Sequence, residues 1–447
     1  MGFVGTGNRL AAKFFPVSYH PIPPMLPIAP IRRRFYVHRA DIVSLMDEFR
    51  LTIPSRLKER MQYDKLAGDV PRILILESGY WLDAACVQAG RLMGWDVRTV
   101  PVPLEGSLSR DNMAEMLYTL VDMRPDFVLT INLGGMDVGG VFARLFEDLE
   151  LPYVTWFVDD PRTIVMDQAL YGSPFAVALT WERSYLPYLQ QSSFAAVHYM
   201  PLAVDPVIFQ PPASDLPTIP PAFVGNSMTV PAQKEWEWVN QNLTLANAID
   251  SAFENKRVNR ETFAHGLEAL LPEFLLSELD ADEKRHAEIL FFVEGTRRLR
   301  HELVGQWIQE DVSVRGDDEW RLLTPQAGAA LNYTHDLARF YAQCEVNLNI
   351  TSIQMATAVN QRVFDCPAAG GFLLTDAQAD LKDLFEVDRE IACYNSMEES
   401  VEMIAWYRAR PAVRREIAAR AQARILNEHT YAHRLRAMVE ILRTLYA

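Results

Sequence analysis

The stretch from Glu345 to Phe385, EVNLNITSIQMATAVNQRVFDCPAAGGFLLTDAQADLKDLF, restricts the fold more than any other part of this chain. Val346 to Ile350 alternate apolar and polar residues, which predicts a short strand. Asn360 to Cys366 fit the first turns of a helix, with Pro367 just past its end or kinking it. Gly370 and Gly371 close that helix, and Phe372 to Thr375 read as a buried strand bounded by Asp376. Strand, loop, helix and strand make one unit of a parallel α/β sheet, and such sheets bind ligands at the carboxyl ends of their strands. The loop from Thr351 to Asn360 lies at that end, where the following helix points its free N–H groups. Asn360, Arg362 and Asp365 fall at helical spacing. The planar fork of an Arg suits a diphosphate, and an Asp one turn on suits a ribose diol.

The same alternation occurs upstream. Strands are predicted at Arg72 to Glu77, Val97 to Val102, Phe127 to Asn132, Tyr153 to Val158, Ala176 to Thr180 and Val197 to Met200. Helices are predicted between them at Leu82 to Met93, Asn112 to Met123 and Val141 to Leu149. This predicts a Rossmann-like domain over residues 71–205, without a GxGxxG after its first strand, which disfavours NAD. A Pro-rich linker, 206–222, follows. A second α/β domain, 223–430, opens at Phe223-Val224-Gly225 and carries a helical insertion over 231–300. Glu302 to Gln309 reads as another helix, Val312 to Arg315 as a strand and Leu337 to Cys344 as a helix. Residues 1–70 read as a Pro-rich leader and a helical N-terminal segment; 431–447 read as a C-terminal helix.

The formal charge of −15 disfavours nucleic acid or an anionic membrane as the main partner. No run approaches a membrane-spanning length, so no integral membrane segment is expected. Cys86, Cys344, Cys366 and Cys393 stand apart with no CxxC pair. Reduced thiols in a cytoplasmic protein are expected. The His residues are scattered, no spacing suggests a metal site, and HExxH, GxSxG and a Walker A loop are absent.

Four segments carry a resemblance: NQRVFDCPAAGGFLLTD, DLFE at 383 to 386, EIACYNSMEE at 390 to 399 and HTYAHRL at 429 to 435. They resemble the C-terminal half of the CgeB-like, spore-maturation-type glycosyltransferases, within the two-domain GT-B glycosyltransferases. The likeness is dense over about 312–442. Upstream it thins to Phe223-Val224-Gly225-Asn226 and to Trp156 through Pro161. Asp365 stands where that family has Glu, and Thr357 stands where many relatives of the wider class have a Glu.

The resemblance implies a GT-B-like α/β fold: two Rossmann-like domains with parallel sheets, a helical insertion in the second domain, and the last helix returning to the first. It implies transfer of a sugar from a nucleotide-diphosphate sugar to a hydroxyl acceptor, on a glycan or surface polysaccharide, with no cofactor and no metal. A non-catalytic binding or structural protein of the same fold, and a nucleotide-sugar epimerase, are the other readings, which fold alone does not separate. Donor binding is expected from Gly225, Asn226, Asn360, Arg362, Asp365, Gly370 and Gly371. A turn at Gly225 and a helix end at Gly370 and Gly371 are the plainer accounts of those glycines. Gly79 and Tyr80 are expected on the acceptor side, Tyr80 equally as a packing aromatic. For the catalytic base, Asp159 and Asp160 lead, with Asp137 as their rival and Asp83 one turn into the first helix; Asp159 and Asp160 equally suit a helix cap. His429 is expected to position the last helices.

Overall fold

The computed structural model describes residues 55–102, 110–137, 139–165, 170–213 and 217–447. Residues 1–54, the Pro-rich leader and most of the helical N-terminal segment, lie outside the described residues; the end of that segment forms the helix Ser55–Met61. Two six-stranded parallel sheets organise the rest.

The first sheet contains β1 (Arg72–Glu77), β2 (Asp96–Pro101), β3 (Phe127–Ile131), β4 (Tyr153–Phe157), β5 (Ala176–Thr180) and β6 (Ala196–Tyr199), in the order β2-β1-β3-β4-β5-β6. β3, β4 and β5 are buried at every position, which is why they read as unbroken apolar runs. The second sheet contains β7 (Ala222–Val224), β8 (Ser313–Gly316), β9 (Gly328–Ala329), β10 (Asn347–Leu348), β11 (Leu373–Asp376) and β12 (Ala392–Tyr394), in the order β12-β11-β10-β7-β8-β9. Strand order reverses between β1 and β3 in one sheet, and between β7 and β10 in the other. A crevice opens at each reversal because the flanking loops diverge to opposite faces.

The helical insertion runs from Thr229–Val239 to the long helix Ala281–Trp307. That helix is continuous, so the separate helix expected over Glu302 to Gln309 is a correction: Leu303, Val304 and Trp307 continue its buried face without a break. β10 is shorter than expected, pairing through Asn347 and Leu348 only.

The final helix, Tyr431–Tyr446, packs on helix Trp81–Leu92 of the first domain. The approach is close at Gly90, where a Cβ would run into the Val97 side chain and lie 3.7 Å from Leu435. Tyr431 sits beside Trp81 and Trp156, at ring distances of 6.0 and 6.2 Å. One apolar cluster thereby spans both domains, joining Cys86, Trp156 and Phe209 to Val363, Phe364 and Leu435. The GT-B arrangement follows: two parallel-sheet domains joined by a returning C-terminal helix and a shared apolar cluster, termed the hinge cluster.

Candidate active site

At the second crevice, β7 ends in Val224 and turns through Gly225 and Asn226. Gly225 donates its N–H to Arg315 and accepts from the Trp320 indole at 2.7 Å, so this turn is fixed from the β8 side. Asn226 accepts the Met228 N–H on its side chain, supporting Met228 at φ 67°. Two guanidinium groups flank the turn. Arg362 donates to the Val224 carbonyl and to the Asn349 side chain, the latter at 2.8 Å. Arg300, from the long helix, donates to the Asn226 carbonyl at 2.7 Å, while its buried Nε finds no acceptor. Burial, and the positive charge of Arg362 beside it, push the Arg300 guanidinium down to about 10. Among the described residues, no carboxylate lies within ion-pair distance of either Arg300 or Arg362. Asn360 donates to Asn349 at 2.8 Å and leaves its own buried Oδ1 without a partner. Two cations and the unmatched Arg300 Nε at a strand-end crevice fit a dianionic ligand, and the unmatched Asn360 Oδ1 fits a hydrogen-bond donor on it. Arg300 was not singled out from the sequence.

Helix Arg362–Ala368 sorts the other expected donor residues. Arg362 turns to the crevice. Asp365 does not: it is 1% exposed and accepts from Gln361 at 2.6 Å and the Tyr333 hydroxyl at 2.8 Å. Burial holds its carboxyl well above the usual carboxylate range. It faces the hinge cluster because the helix must bury Val363, Phe364 and Cys366 there. The expected ribose contact is therefore corrected to a hinge contact in this conformation. Gly370 and Gly371 also lie away from the crevice. A crossover helix runs antiparallel to the strands, so its C-terminus reaches the opposite edge of the sheet. Gly370 takes φ 84° to end the helix, and a Cβ on Gly371 would come 2.7 Å from the Tyr341 carbonyl. This geometry fits the helix-end account of both glycines.

The first crevice lies between the loops after β1 and β3. Gly79 takes φ 89°. Asp83 accepts the N–H groups of Ser78 and Tyr80, at 2.9 and 3.1 Å. Burial nonetheless pushes its carboxyl up to about 7. Tyr80 is half-buried against the hinge cluster. Across the crevice, Asn132 and Leu133 take φ of 52° and 54°, and a Cβ on Gly134 would collide with Ser78. The three catalytic candidates differ in how they are occupied. Asp137 accepts three backbone N–H groups, from Gly139, Val141 and Phe142, and caps the helix Val141–Asp148. Asp160 accepts the Arg162 N–H and pairs with the Arg162 guanidinium at 2.6 Å. Asp159 accepts only from Asn132, at 2.8 Å, and burial pushes it up to about 7. A carboxyl that titrates near neutrality with one light partner suits proton transfer; the two heavily bonded ones suit scaffolding. Among the described residues, no cluster of His, Cys, Asp and Glu is placed to hold a metal ion.

Strand-end loops of the two domains meet. Glu182, after β5, accepts the N–H groups of Thr357 and Ala358 at 3.0 and 2.9 Å. Arg183 pairs with Asp380 and Asp383, each at 3.1 Å. Tyr185 donates to the Gln354 carbonyl at 2.7 Å. Arg162 pairs with Glu288 at 3.3 Å. His429 sits at the hinge, its Nε2 3.1 Å from the Leu384 carbonyl, and burial pushes it down to about 4.

Two parallel-sheet domains with a crevice at each reversal, loops facing, define the GT-B class of fold. Residues 285–440, about a third of the chain, match the family described as glycosyl transferase-like, a span that holds both Arg300 and Arg362. No curated protein matches the chain. Among solved structures, sucrose-phosphate synthase from Thermosynechococcus elongatus aligns at 11% identity and TM-score 0.49, over 84% of this chain and 99% of its own. A glycosyltransferase from Rickettsia africae aligns at 10% identity and TM-score 0.47, over 85% of this chain and 99% of its own. Anabaena HepE in complex with UDP aligns at 12% identity and TM-score 0.47, over 83% of this chain and 100% of its own.

Proposed function

We propose that this protein is a CgeB-like glycosyltransferase that transfers a sugar from a nucleoside-diphosphate sugar to a hydroxyl on a glycan acceptor. The observation that carries the reading is the pair Arg300 and Arg362 at the β7/β10 crevice, unmatched by any carboxylate among the described residues and inside the family-matched span. Glycosyl transfer leaves a diphosphate behind, and stabilising that charge is the main electrostatic task. Arg300, with its free Nε, would hold it. Arg362 braces the crevice, since most of its donors are spent on Val224, Leu348, Asn349 and Tyr341. Asn360 would orient the donor through its unpartnered carbonyl. The acceptor would lie on the first domain by Gly79 and Tyr80, with Asp159 taking the proton of its hydroxyl as the sugar–oxygen bond forms.

Thermal unfolding with UDP, GDP, dTDP, ADP and CMP tests this. One nucleotide class should raise the midpoint, since a ligand at about 100 times its Kd adds about 2.7 kcal/mol to folded-state stability. The corresponding nucleotide sugar, with candidate glycans, should then release nucleoside diphosphate. No shift with any nucleotide would remove the reading.

A further inference from the structure

Glu182 is a fully buried carboxylate with no cationic partner among the described residues. Its four hydrogen bonds account for its two oxygens. Oε2 accepts the Thr357 and Ala358 N–H groups, at 3.0 and 2.9 Å. Oε1 accepts the Thr357 hydroxyl at 3.0 Å and the Ser184 N–H at 2.8 Å. Three of the four donors therefore belong to the other domain. All three sit in the loop between β10 and helix Arg362–Ala368, the loop that carries Asn360 and delivers Arg362 to the crevice. No regular ladder fixes this loop. Its other ties include Gln378 to the Met355 carbonyl at 3.0 Å and the Asp380 N–H to the Thr357 carbonyl at 3.0 Å. Asp380 is in turn held by Arg183, the neighbour of Glu182.

The two Thr357 and Ala358 N–H groups are matched only while the domains touch. A buried donor left without an acceptor keeps its full desolvation penalty, so separation would leave the loop to rearrange or to hydrate. An ionised side chain accepting backbone N–H groups also makes stronger bonds than a neutral one. The first domain therefore sets the conformation of a loop that belongs to the donor crevice of the second.

We propose that Glu182 is a positioning residue: domain closure inserts its carboxylate into the Thr357–Ala358 backbone and so orders the donor loop for nucleotide binding. The inference rests on the donor-site reading above but concerns a residue of the opposite domain. It couples the two substrates, because only a closed chain has an ordered donor loop, and closing brings the acceptor crevice to it. Thr357 adds a hydroxyl that donates to Glu182 at 3.0 Å.

The test is Glu182→Gln in the full chain. The amide keeps the length but in either orientation presents its NH2 to a backbone N–H, that of Ser184 or those of Thr357 and Ala358. Affinity for the nucleotide that the unfolding screen selects is measured by calorimetry, with scattering in parallel. The variant should bind about tenfold more weakly, near 1.4 kcal/mol. It should also fail to compact on binding, while its ligand-free stability falls by less than the loss in binding. Glu182→Asp, which keeps the charge, should recover part of the affinity. Parent-like affinity in Glu182→Gln overturns the proposal. So does a loss matched by an equal fall in ligand-free stability, which would make the contact merely structural. If the parent itself binds no nucleotide, the donor-site reading has failed, and that result is read from the parent alone.

Discussion

At Arg300 a guanidinium occupies a register that its helix otherwise gives to buried side chains: Ile289, Val293, Thr296, then Val304 and Trp307. This is the signal the sequence held. A helical period interrupted by one cation on its apolar face is worth suspecting, whereas the neighbouring Arg297 and Arg298 pair with Glu294 and are ordinary. Arg300 is half-buried with its Nε enclosed and unpartnered, so an apolar side chain of similar length there removes a desolvated polar group. Arg300→Met should therefore keep or raise the ligand-free unfolding midpoint while weakening nucleotide binding by about 1.5–3 kcal/mol. A calorimetric titration showing parental affinity would move the diphosphate elsewhere. Asp159 makes the second residue-scale prediction. As a base it works deprotonated, so the rate should rise with pH through about 7, and Asp159→Asn should lose that limb. Stability runs the other way. Its pKa is raised on folding, as is that of Asp83, so their contribution is complete below the usual carboxylate range and is lost as pH rises through about 7. Unfolding midpoints recorded across that window should fall less steeply in Asp159→Asn; an unchanged slope would mean that Asp159 is already ionised.

Elements were legible where period and burial agree. β5 has the bounds its apolar run predicts, and β3 and β4 differ by one residue, because strands buried on both faces leave no polar interruption to misread. The long helix was split in the sequence reading because its charged run, RRLRHE at 297–302, masked a buried face that continues to Trp307. β9 spans only Gly328 and Ala329, and two residues carry no period. The orientation of helix Arg362–Ala368 was half legible. Spacing put Asn360, Arg362 and Asp365 together, but whether a turn of helix faces a crevice or a hinge is set by the element packed on it. That element is the helix Pro411–Glu428. The last helix, which follows it, holds the first domain specifically. Arg434 donates to the Pro201 carbonyl at 2.8 Å, to Leu202 at 2.8 Å and to His429 Nδ1 at 3.1 Å. Arg434→Ala leaves two buried carbonyls unmatched and should destabilise by about 1–3 kcal/mol per lost partner. Denaturant titration would read this as a lower midpoint with an unchanged slope. A midpoint equal to the parent's would mean that the apolar contacts of Leu435 and Leu442 hold the helix unaided.

At the scale of the whole molecule, the contacts between domains were beyond sequence reasoning, because Glu182 and Thr357 are far apart in the chain and follow no shared pattern. What they imply is a closed form held by two kinds of interaction. Asp380, one partner of Arg183, is buried, whereas Arg183 with Asp383 lies near solvent, their side chains being 41% and 52% exposed. Such pairs contribute about 0–1 kcal/mol and weaken with salt. The Glu182 bonds and the Arg162–Glu288 pair are buried and screened much less. On the proposed reading, a nucleotide would add a third tie by filling the crevice beneath the ordered loop. Scattering should therefore show a smaller radius of gyration when the nucleotide is added. The contraction should persist at about 0.5 M salt, where charges at the surface are screened within about 4 Å. Arg183→Ala should contract nearly as the parent does. A contraction abolished by salt, or by Arg183→Ala, would place closure in the surface pairs instead of the buried carboxylate. Identical curves with and without saturating nucleotide would describe a chain that is already closed, and the donor would then have to enter without a domain movement.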